Sequence, residues 1–116
     1  MINDATCVDI KATDINGAVD FALSNDIGFA VVAPDDPLVL GMVDALEDKG
    51  IKCFGPRKNA AIIEGSKVFS KDLMKKYNIP TASYEIFDNA SDALKYLDEV
   101  NSSYPTVIKA DGLALG

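Results

Sequence analysis

The 116-residue chain contains no histidine and only two cysteines. Without histidine, the chain has no imidazole general base, no Ser-His-Asp triad and no histidine ligand for a metal ion. Cys7 and Cys53 lie far apart and form no C-x-x-C or other metal-ligand spacing. We therefore expect each cysteine to pack as a small hydrophobic residue in a reducing cytosol. Histidine-based catalysis is excluded for these residues.

Long apolar runs and an excess of positive charge are also missing. No run is long enough to span a bilayer and there is no basic, apolar leader, so we expect a cytoplasmic protein that does not enter a membrane. With 11 basic and 18 acidic residues, the formal net charge is −7. This charge argues against nonspecific binding to nucleic acid or anionic lipid, although a local basic pocket for phosphate remains compatible with it.

The first half of the chain has the pattern of an α/β protein with a doubly wound parallel sheet. Residues 28–33 form a compact apolar run that predicts a strand buried on both faces. A helix follows, for which Asp36 suits the N-cap and Pro37 the first helical position, and Gly50 ends it. Residues 51–54 predict a second strand. Strand, helix and strand in this order are typical of a βαβ unit, in which ligands bind beyond the carboxyl ends of the strands.

Other segments complete the predicted element order. A helix is expected over residues 14–25, capped by Thr13 or Asp14, after a weak strand signal at residues 7–10. The second half predicts an αβαβ order, with an apolar stripe on each long helix. Its expected elements are a short helix at 59–64, a helix from 67 to about 77, a strand at 83–87, a helix beginning near 88 or 89, and a strand at 106–108. The best break point lies near residues 56–61, which divides the chain into 1–58 and 59–116.

Two lysines occupy unusual positions. Lys67 follows Gly65-Ser66 at the start of a helix, where a cation opposes the helix dipole. Lys109 ends an apolar strand and is followed by Asp111-Gly112. Glycine-bearing turns beside lysines can hold a phosphate, although both nucleotide fingerprints, Gly-x4-Gly-Lys-Ser/Thr and Gly-x-Gly-x-x-Gly, are absent. The alternative is equally simple: two surface lysines and a hairpin turn.

Several motifs, taken in their order and spacing, carry a resemblance to a known family. They are Ala33-Pro-Asp-Asp-Pro-Leu-Val39, Phe54-Gly-Pro56, Glu64-Gly-Ser-Lys67 with Lys71-Asp72 beyond, Ile79-Pro-Thr-Ala82, and Ile108-Lys-Ala-Asp-Gly-Leu-Ala-Leu-Gly116. The chain resembles the phosphoribosylamine–glycine ligases, or glycinamide ribonucleotide synthetases, of the ATP-grasp superfamily. The resemblance implies that residues 1–58 are the C-terminal part of a Rossmann-like pre-ATP-grasp domain. It implies that residues 59–116 begin the ATP-grasp domain.

The resemblance also implies an activity. Such a ligase joins glycine to 5-phosphoribosylamine in purine biosynthesis, using ATP with Mg²⁺ or Mn²⁺ and passing through glycyl phosphate. Carried over by position, Lys67 and Lys109 match the nucleotide-binding lysines. Asp111, Gly112 and Gly116 match the start of the glycine-rich loop that closes over ATP. Pro34 and Asp35 match a turn near the phosphoribosylamine site, where the family usually has Pro-Glu. The alternative reading of Asp35 is a helix cap.

The resemblance also leads us to expect missing parts. The opening βα unit would lie before residue 1, and most of the ATP-grasp domain, with its adenine contacts and metal-binding acids, would lie beyond residue 116. We therefore expect no catalytic residue or metal ligand in this chain, no ligation by the chain alone, and self-association through exposed strand edges, although the whole enzyme would be a monomer. Two alternative functions stay open: another ATP-grasp ligase or carboxylase, and a non-catalytic α/β binding module.

Overall fold

The structure, a computed structural model, describes residues 4–100 and 105–113, which fall into two compact units, 1–65 and 66–116. The first unit contains a two-stranded sheet and four helices among its described residues, and the second contains two helices. The elements are α1 (Ile15–Ser24), β1 (Phe29–Val31), α2 (Asp35–Leu40), α3 (Met42–Glu47), β2 (Lys52–Phe54), α4 (Lys58–Gly65), α5 (Lys67–Lys76) and α6 (Ala90–Glu99). No helix in the described part of the chain is long and apolar enough to cross a membrane.

The sheet of the first unit is parallel, as the strand–helix–strand pattern predicts. β1 pairs with β2, and Ala30 lies opposite Cys53 in the register. The crossover consists of α2 and α3. The structure therefore confirms a mixed α/β arrangement with one parallel strand pair.

α1 begins where its sequence predicts. The carboxylate of Asp14 accepts a hydrogen bond from the backbone N–H of Gly17 at 2.9 Å and so caps the helix. Val19 and Ala22, one helical turn apart, are buried against the core. The apolar stripe of this helix thus fixes which of its sides meets the sheet and α3. The weak strand signal at residues 7–10, by contrast, corresponds to no strand in the structure.

The predicted cap of the crossover helix is wrong. Pro34, not Asp36, is the N-cap, and Asp35, Asp36 and Pro37 form the first turn of α2. Pro37 fits there because the first-turn nitrogens have no partner within a helix. The sequence predicts a single helix here, but the structure has two, α2 and α3. They are separated at Gly41, which has a left-handed φ of 96°. α3 ends at Glu47, before the predicted end at Gly50, but Gly50 has the predicted left-handed conformation with a φ of 82°.

The core lies on one face of the sheet only. Val43 of α3 is its most enclosed residue, with 1% of its surface exposed, and α1 covers the same side. The strands alternate, so that Ala30 and Cys53 point inward while Phe29, Val31 and Phe54 remain 57%, 65% and 68% exposed. The expectation of a strand buried on both faces is therefore wrong for the described residues, because no second layer covers the outer face of the sheet.

α4 packs on the first unit against α2. Gly65 allows this close approach, since a Cβ there would lie 3.0 Å from the Val39 side chain, which would have to shift. The sequence assigns this helix to the following segment instead, beginning at residue 59. The assignment of 1–58 and 59–116 to two family domains remains a prediction.

The second unit has the predicted helices but not the predicted strands. Ser66 caps α5 and Asn89 caps α6, each through a side-chain hydrogen bond to a first-turn N–H. Residues 83–87 and 106–108 form no strand. A strand is stable only when a neighbouring strand takes up its backbone hydrogen bonds, and the described residues of this unit supply no such neighbour. The helix stripes are likewise less buried than predicted: Phe69, Tyr77, Leu94 and Val100 are exposed.

Candidate functional site

The start of α5 is the most highly connected polar cluster of the second unit. The hydroxyl of Ser66 accepts from the N–H of Phe69 at 3.0 Å and donates to the Asp111 carboxylate at 3.1 Å. The same carboxylate accepts from the backbone N–H of Val68 at 3.1 Å. Residues 45 positions apart in sequence therefore meet at one helix terminus.

The electrostatics of this cluster favour a charged carboxylate. The hydrogen bond from the backbone N–H of Val68 is the main cause that lowers the pKa of Asp111. Partial desolvation acts in the opposite direction, and further hydrogen bonds from Gly112, Ser66 and Lys67 add to the lowering. A helix N-terminus stabilises negative charge because its first N–H groups are unpaired and its dipole is positive there. Asp111 occupies the position that a bound anion would otherwise take.

Lys67 is tied to the same turn. Its side chain is half-buried, and Nζ donates to the backbone carbonyl of Gly112 at 2.5 Å. Gly112 has a left-handed φ of 91°. A residue with a side chain would be strained in this conformation, so glycine is the residue that lets the carbonyl take this direction. The carboxylate of Asp111 lies at the same helix terminus, on the backbone N–H of Val68. The structure thus brings together three predicted site residues: Lys67, Asp111 and Gly112.

Among the described residues, no observed hydrogen bond brings Lys109 to this cluster. Lys109 is exposed and lies in an extended segment that is not a strand. Gly116 lies outside the described residues.

A second polar cluster, on the next turn of α5, was not found from the sequence. Nζ of Lys71 donates to the Thr81 hydroxyl at 2.6 Å and to the Ala82 carbonyl at 3.1 Å, and it lies 5.3 Å from the ring centre of Tyr84. The hydroxyl of Tyr84 in turn donates to Asp72 at 3.1 Å. Partial desolvation, followed by this hydrogen bond, raises the pKa of Tyr84. Lys71, Asp72, Thr81 and Ala82 belong to motifs noted in the sequence, whereas Tyr84 does not, and the tertiary structure decides which of these residues meet.

Pro34 and Asp35 belong to the first unit and lie just beyond the carboxyl end of β1. Asp35 is exposed in the first turn of α2, where its charge complements the helix dipole, and the helix has no side-chain capping bond. The adjoining groove has a volume of about 390 Å³ and an apolar lining that includes Val8, Phe21, Phe29 and Pro34. Pro34 thus lines this groove, whereas Asp35 does not belong to its lining.

Arg57 and Lys58, two basic residues that follow β2, have a structural role. The guanidinium of Arg57 donates to Glu47 at 2.6 Å, and this hydrogen bond is the main reason why the pKa of Arg57 is raised. The backbone N–H of Lys58 donates to Asp44 at 2.8 Å, which satisfies a first-turn donor of α4. Both residues fix α4 on α3. Neither side chain was assigned to the nucleotide site.

Among residues 4–100 and 105–113, no group of three acidic, cysteine or histidine side chains lies close enough together to hold a metal ion. The described cluster combines a lysine ammonium group and a glycine turn at the start of a helix, and Asp111 is the anion that the helix terminus holds in this structure.

Two family models match consecutive parts of the chain. The model described as phosphoribosylglycinamide synthetase, N domain, matches residues 1–64. The model described as phosphoribosylglycinamide synthetase, ATP-grasp (A) domain, matches residues 65–116. Together they cover the whole sequence without a gap.

Curated relatives give the same result. The phosphoribosylamine–glycine ligase of Listeria innocua is 51% identical over 115 residues, which is 99% of this chain and 27% of the relative. Proteins of the same name from Caldanaerobacter subterraneus and Allochromatium vinosum are 52% and 50% identical, over 97% and 94% of this chain and 26% and 25% of their own lengths. The chain therefore spans about a quarter of the length of these relatives.

Proposed function

Because this chain belongs to the phosphoribosylglycinamide synthetase family, we propose that its protein joins glycine to 5-phosphoribosylamine with ATP. The products are glycinamide ribonucleotide, ADP and phosphate, within purine biosynthesis in the cytoplasm. The observation that carries the proposal is the match of both consecutive domain models together with about 50% identity to proteins named phosphoribosylamine–glycine ligase.

The proposed reaction has two steps. A carboxylate oxygen of glycine attacks the γ-phosphorus of ATP, ADP leaves, and glycyl phosphate forms. The amine of phosphoribosylamine then attacks the carbonyl carbon, phosphate leaves, and the nitrogen loses a proton. In both steps the protein mainly positions the reactants and neutralises charge on phosphoryl oxygens.

The residues of this chain are proposed to bind rather than to react. Lys67 and Lys109 supply positive charge to the nucleotide phosphates, and Asp111, Gly112 and Gly116 belong to the loop beside them. The half-buried Nζ of Lys67 on the Gly112 carbonyl supports this assignment, since lysine and loop already meet.

A second group of assignments concerns the other substrate, the metal and the fold. Pro34 and Asp35 are proposed to contact phosphoribosylamine, consistent with an exposed carboxylate at the end of β1. ATP is proposed to bind with Mg²⁺ or Mn²⁺, whose ligands we assign to none of the described residues. We also propose that β1 and β2 belong to a doubly wound sheet, that residues 1–58 and 59–116 belong to different domains, and that the whole enzyme is a monomer.

The test uses a hybrid ligase in which this chain replaces the matching segment of the Listeria innocua relative. We expect ADP formation that depends on both glycine and phosphoribosylamine. Lys67→Met and Lys109→Met should each raise the KM for ATP by roughly tenfold or more, because each removes a charge-assisted contact to phosphate.

Lys75→Met is the matched control, since Lys75 is exposed in the last turn of the same helix. It should leave the KM for ATP unchanged. A hybrid without ligation, or with activity towards a different carboxylate, would contradict the proposed reaction. An unchanged KM in the Lys67 and Lys109 variants would contradict the phosphate assignment alone.

A further inference from the structure

We propose that Asp111 is a positioning residue that fastens the Asp111–Gly112 turn to the start of α5, so that this turn and Lys67 face the nucleotide as one preassembled unit. The nucleotide part of this inference rests on the proposed function; the local part rests on the contacts of the described residues alone. Asp111 thereby acts through its neighbours and does not itself contact the nucleotide.

The first support is the way the carboxylate is used. One oxygen accepts from the N–H of Val68 at 3.1 Å, and the other accepts from the Ser66 hydroxyl at 3.1 Å. The Ser66 hydroxyl simultaneously accepts from Phe69 at 3.0 Å, so its single proton is free to point at Asp111. Both oxygens of Asp111 are therefore engaged within the protein, and both face the helix terminus.

The second support is the position of Lys67. A lysine at the start of a helix is unfavourable by itself, because its charge opposes the dipole. Here the carbonyl of Gly112, the residue after Asp111, accepts a hydrogen bond from Nζ at 2.5 Å and holds the side chain. Holding a long side chain in one orientation before binding removes part of the ordering that binding would otherwise require. Fastening the turn therefore also orients the lysine.

The third support is electrostatic and agrees with the geometry. The backbone donors of α5 hold the pKa of Asp111 below its ordinary value, so the charged form is the one that fits. A carboxyl with a lowered pKa stabilises its contact at all pH values above the ordinary aspartate range, and the stabilisation is lost as the pH falls through the lowered pKa. The lowering comes from the hydrogen bonds of Val68, Gly112, Ser66 and Lys67 to the carboxylate, whereas the ammonium group of Lys67 is bonded to the Gly112 carbonyl.

The first experiment measures amide hydrogen exchange by NMR on the 116-residue chain. Asp111→Ala should speed exchange at Val68 by about tenfold or more, because the start of α5 then opens locally. Asp111→Asn should give an intermediate rate, since an amide oxygen still accepts one hydrogen bond. Asn89→Ala, which removes the corresponding cap of α6, is the matched control and should leave Val68 unchanged. Unchanged exchange at Val68 in Asp111→Ala would overturn the proposal.

A measurement on the unsubstituted chain covers the case in which Asp111→Ala does not fold. The carboxyl carbon of Asp111 and the amide nitrogen of Val68 should titrate together, with a midpoint below the ordinary aspartate range. Independent titration of the two nuclei would overturn the proposal as well.

The second experiment separates this inference from the proposed function. In the hybrid ligase, Asp111→Ala should raise the KM for ATP while leaving the KM for glycine unchanged, and Asp111→Asn should restore part of the loss. A raised KM for ATP with unchanged exchange at Val68 would show direct contact with the nucleotide and would overturn the positioning role. A hybrid that never ligates glycine would overturn the proposed function, whereas the exchange experiment would still decide the role of Asp111.

Discussion

Gly55 lies where the backbone leaves no room for a side chain. Its φ is 149°, and a Cβ there would lie 2.8 Å from the Val32 carbonyl oxygen and 3.1 Å from side-chain atoms of Leu38 and Val43. The N–H of Val32 bonds to the carbonyl of Phe54, so this close approach is part of the strand pairing. Glycine at this residue is therefore required by packing as well as by conformation.

We predict that Gly55→Ala destabilises the first unit by about 1–3 kcal/mol from backbone strain alone, with a further loss from the displaced Val32 carbonyl. Thermal unfolding monitored by circular dichroism measures the effect. Two control variants separate the causes, because a Cβ at Gly50 or Gly28 would meet nothing within 4 Å. Gly50→Ala introduces a side chain at a left-handed φ without a close contact, and Gly28→Ala introduces one with neither a left-handed φ nor a close contact. Equal melting temperatures for the Gly55 and Gly28 variants would contradict this reading.

Lys67 lies at the start of α5, and its hydrogen-bond partner is distant in sequence. A lysine at a helix start is visible in the sequence as an exception to the dipole rule. Its acceptor, the Gly112 carbonyl, lies 45 residues later and could not be named from the sequence. The sequence thus identified an unusual residue, and only the fold supplied the partner that makes it stable.

α2 and α3 form one predicted helix but two observed ones. Gly41 takes a left-handed φ of 96°, and the break lets α3 turn its apolar side fully towards the core. Val43 and Leu46 are consequently almost completely buried, whereas Leu40, at the end of α2, remains 52% exposed. Two leucines in adjacent helices therefore have opposite environments.

We predict that Leu46→Ala lowers the free energy of unfolding by about 2–5 kcal/mol, since it leaves a cavity beneath the sheet. Leu40→Ala makes the same chemical change at an exposed position and should have a much smaller effect. Chemical denaturation of both variants measures the difference. Similar midpoints for the two would mean that α3 does not carry the core.

Strands were predicted less well than helices in the second unit. Helix starts were predicted near residue 67 and at residue 88 or 89, and in the structure Ser66 and Asn89 cap α5 and α6 by bonding to N–H groups three residues on. Residues 83–87 and 106–108 have suitable alternation and apolar character but form no strand. Helical hydrogen bonds close within a segment, whereas strand hydrogen bonds need a partner that the sequence pattern does not specify.

At the scale of the whole molecule, the main feature is an uncovered sheet face. Phe29, Val31 and Phe54 are all more than half exposed on the same side of β1 and β2. Contiguous apolar surface next to an unpaired strand edge is a usual cause of association. The sequence leads us to expect self-association, and this exposed sheet face is the surface through which we expect it to occur.

We predict that the 116-residue chain associates in a concentration-dependent manner in sedimentation velocity experiments. Replacing Val31 and Phe54 together by threonine should shift the population towards the monomer, because it removes apolar area while keeping strand propensity. Leu94→Thr, at a residue of α6 that is 62% exposed, is the control and should not do so. A monodisperse monomer at all concentrations of the unsubstituted chain would contradict the prediction.

The sequence alone determined what depends on local pattern: the family, the approximate helix starts near residues 14, 67 and 89, and the parallel strand–helix–strand unit. Motif spacing and capping bonds are short-range properties, so they can be read along the chain. The tertiary structure decided which strands formed, which sheet face was covered, and that Asp111 meets Ser66 and Val68. Those outcomes depend on partners distant in sequence, and a pattern along one segment does not specify them.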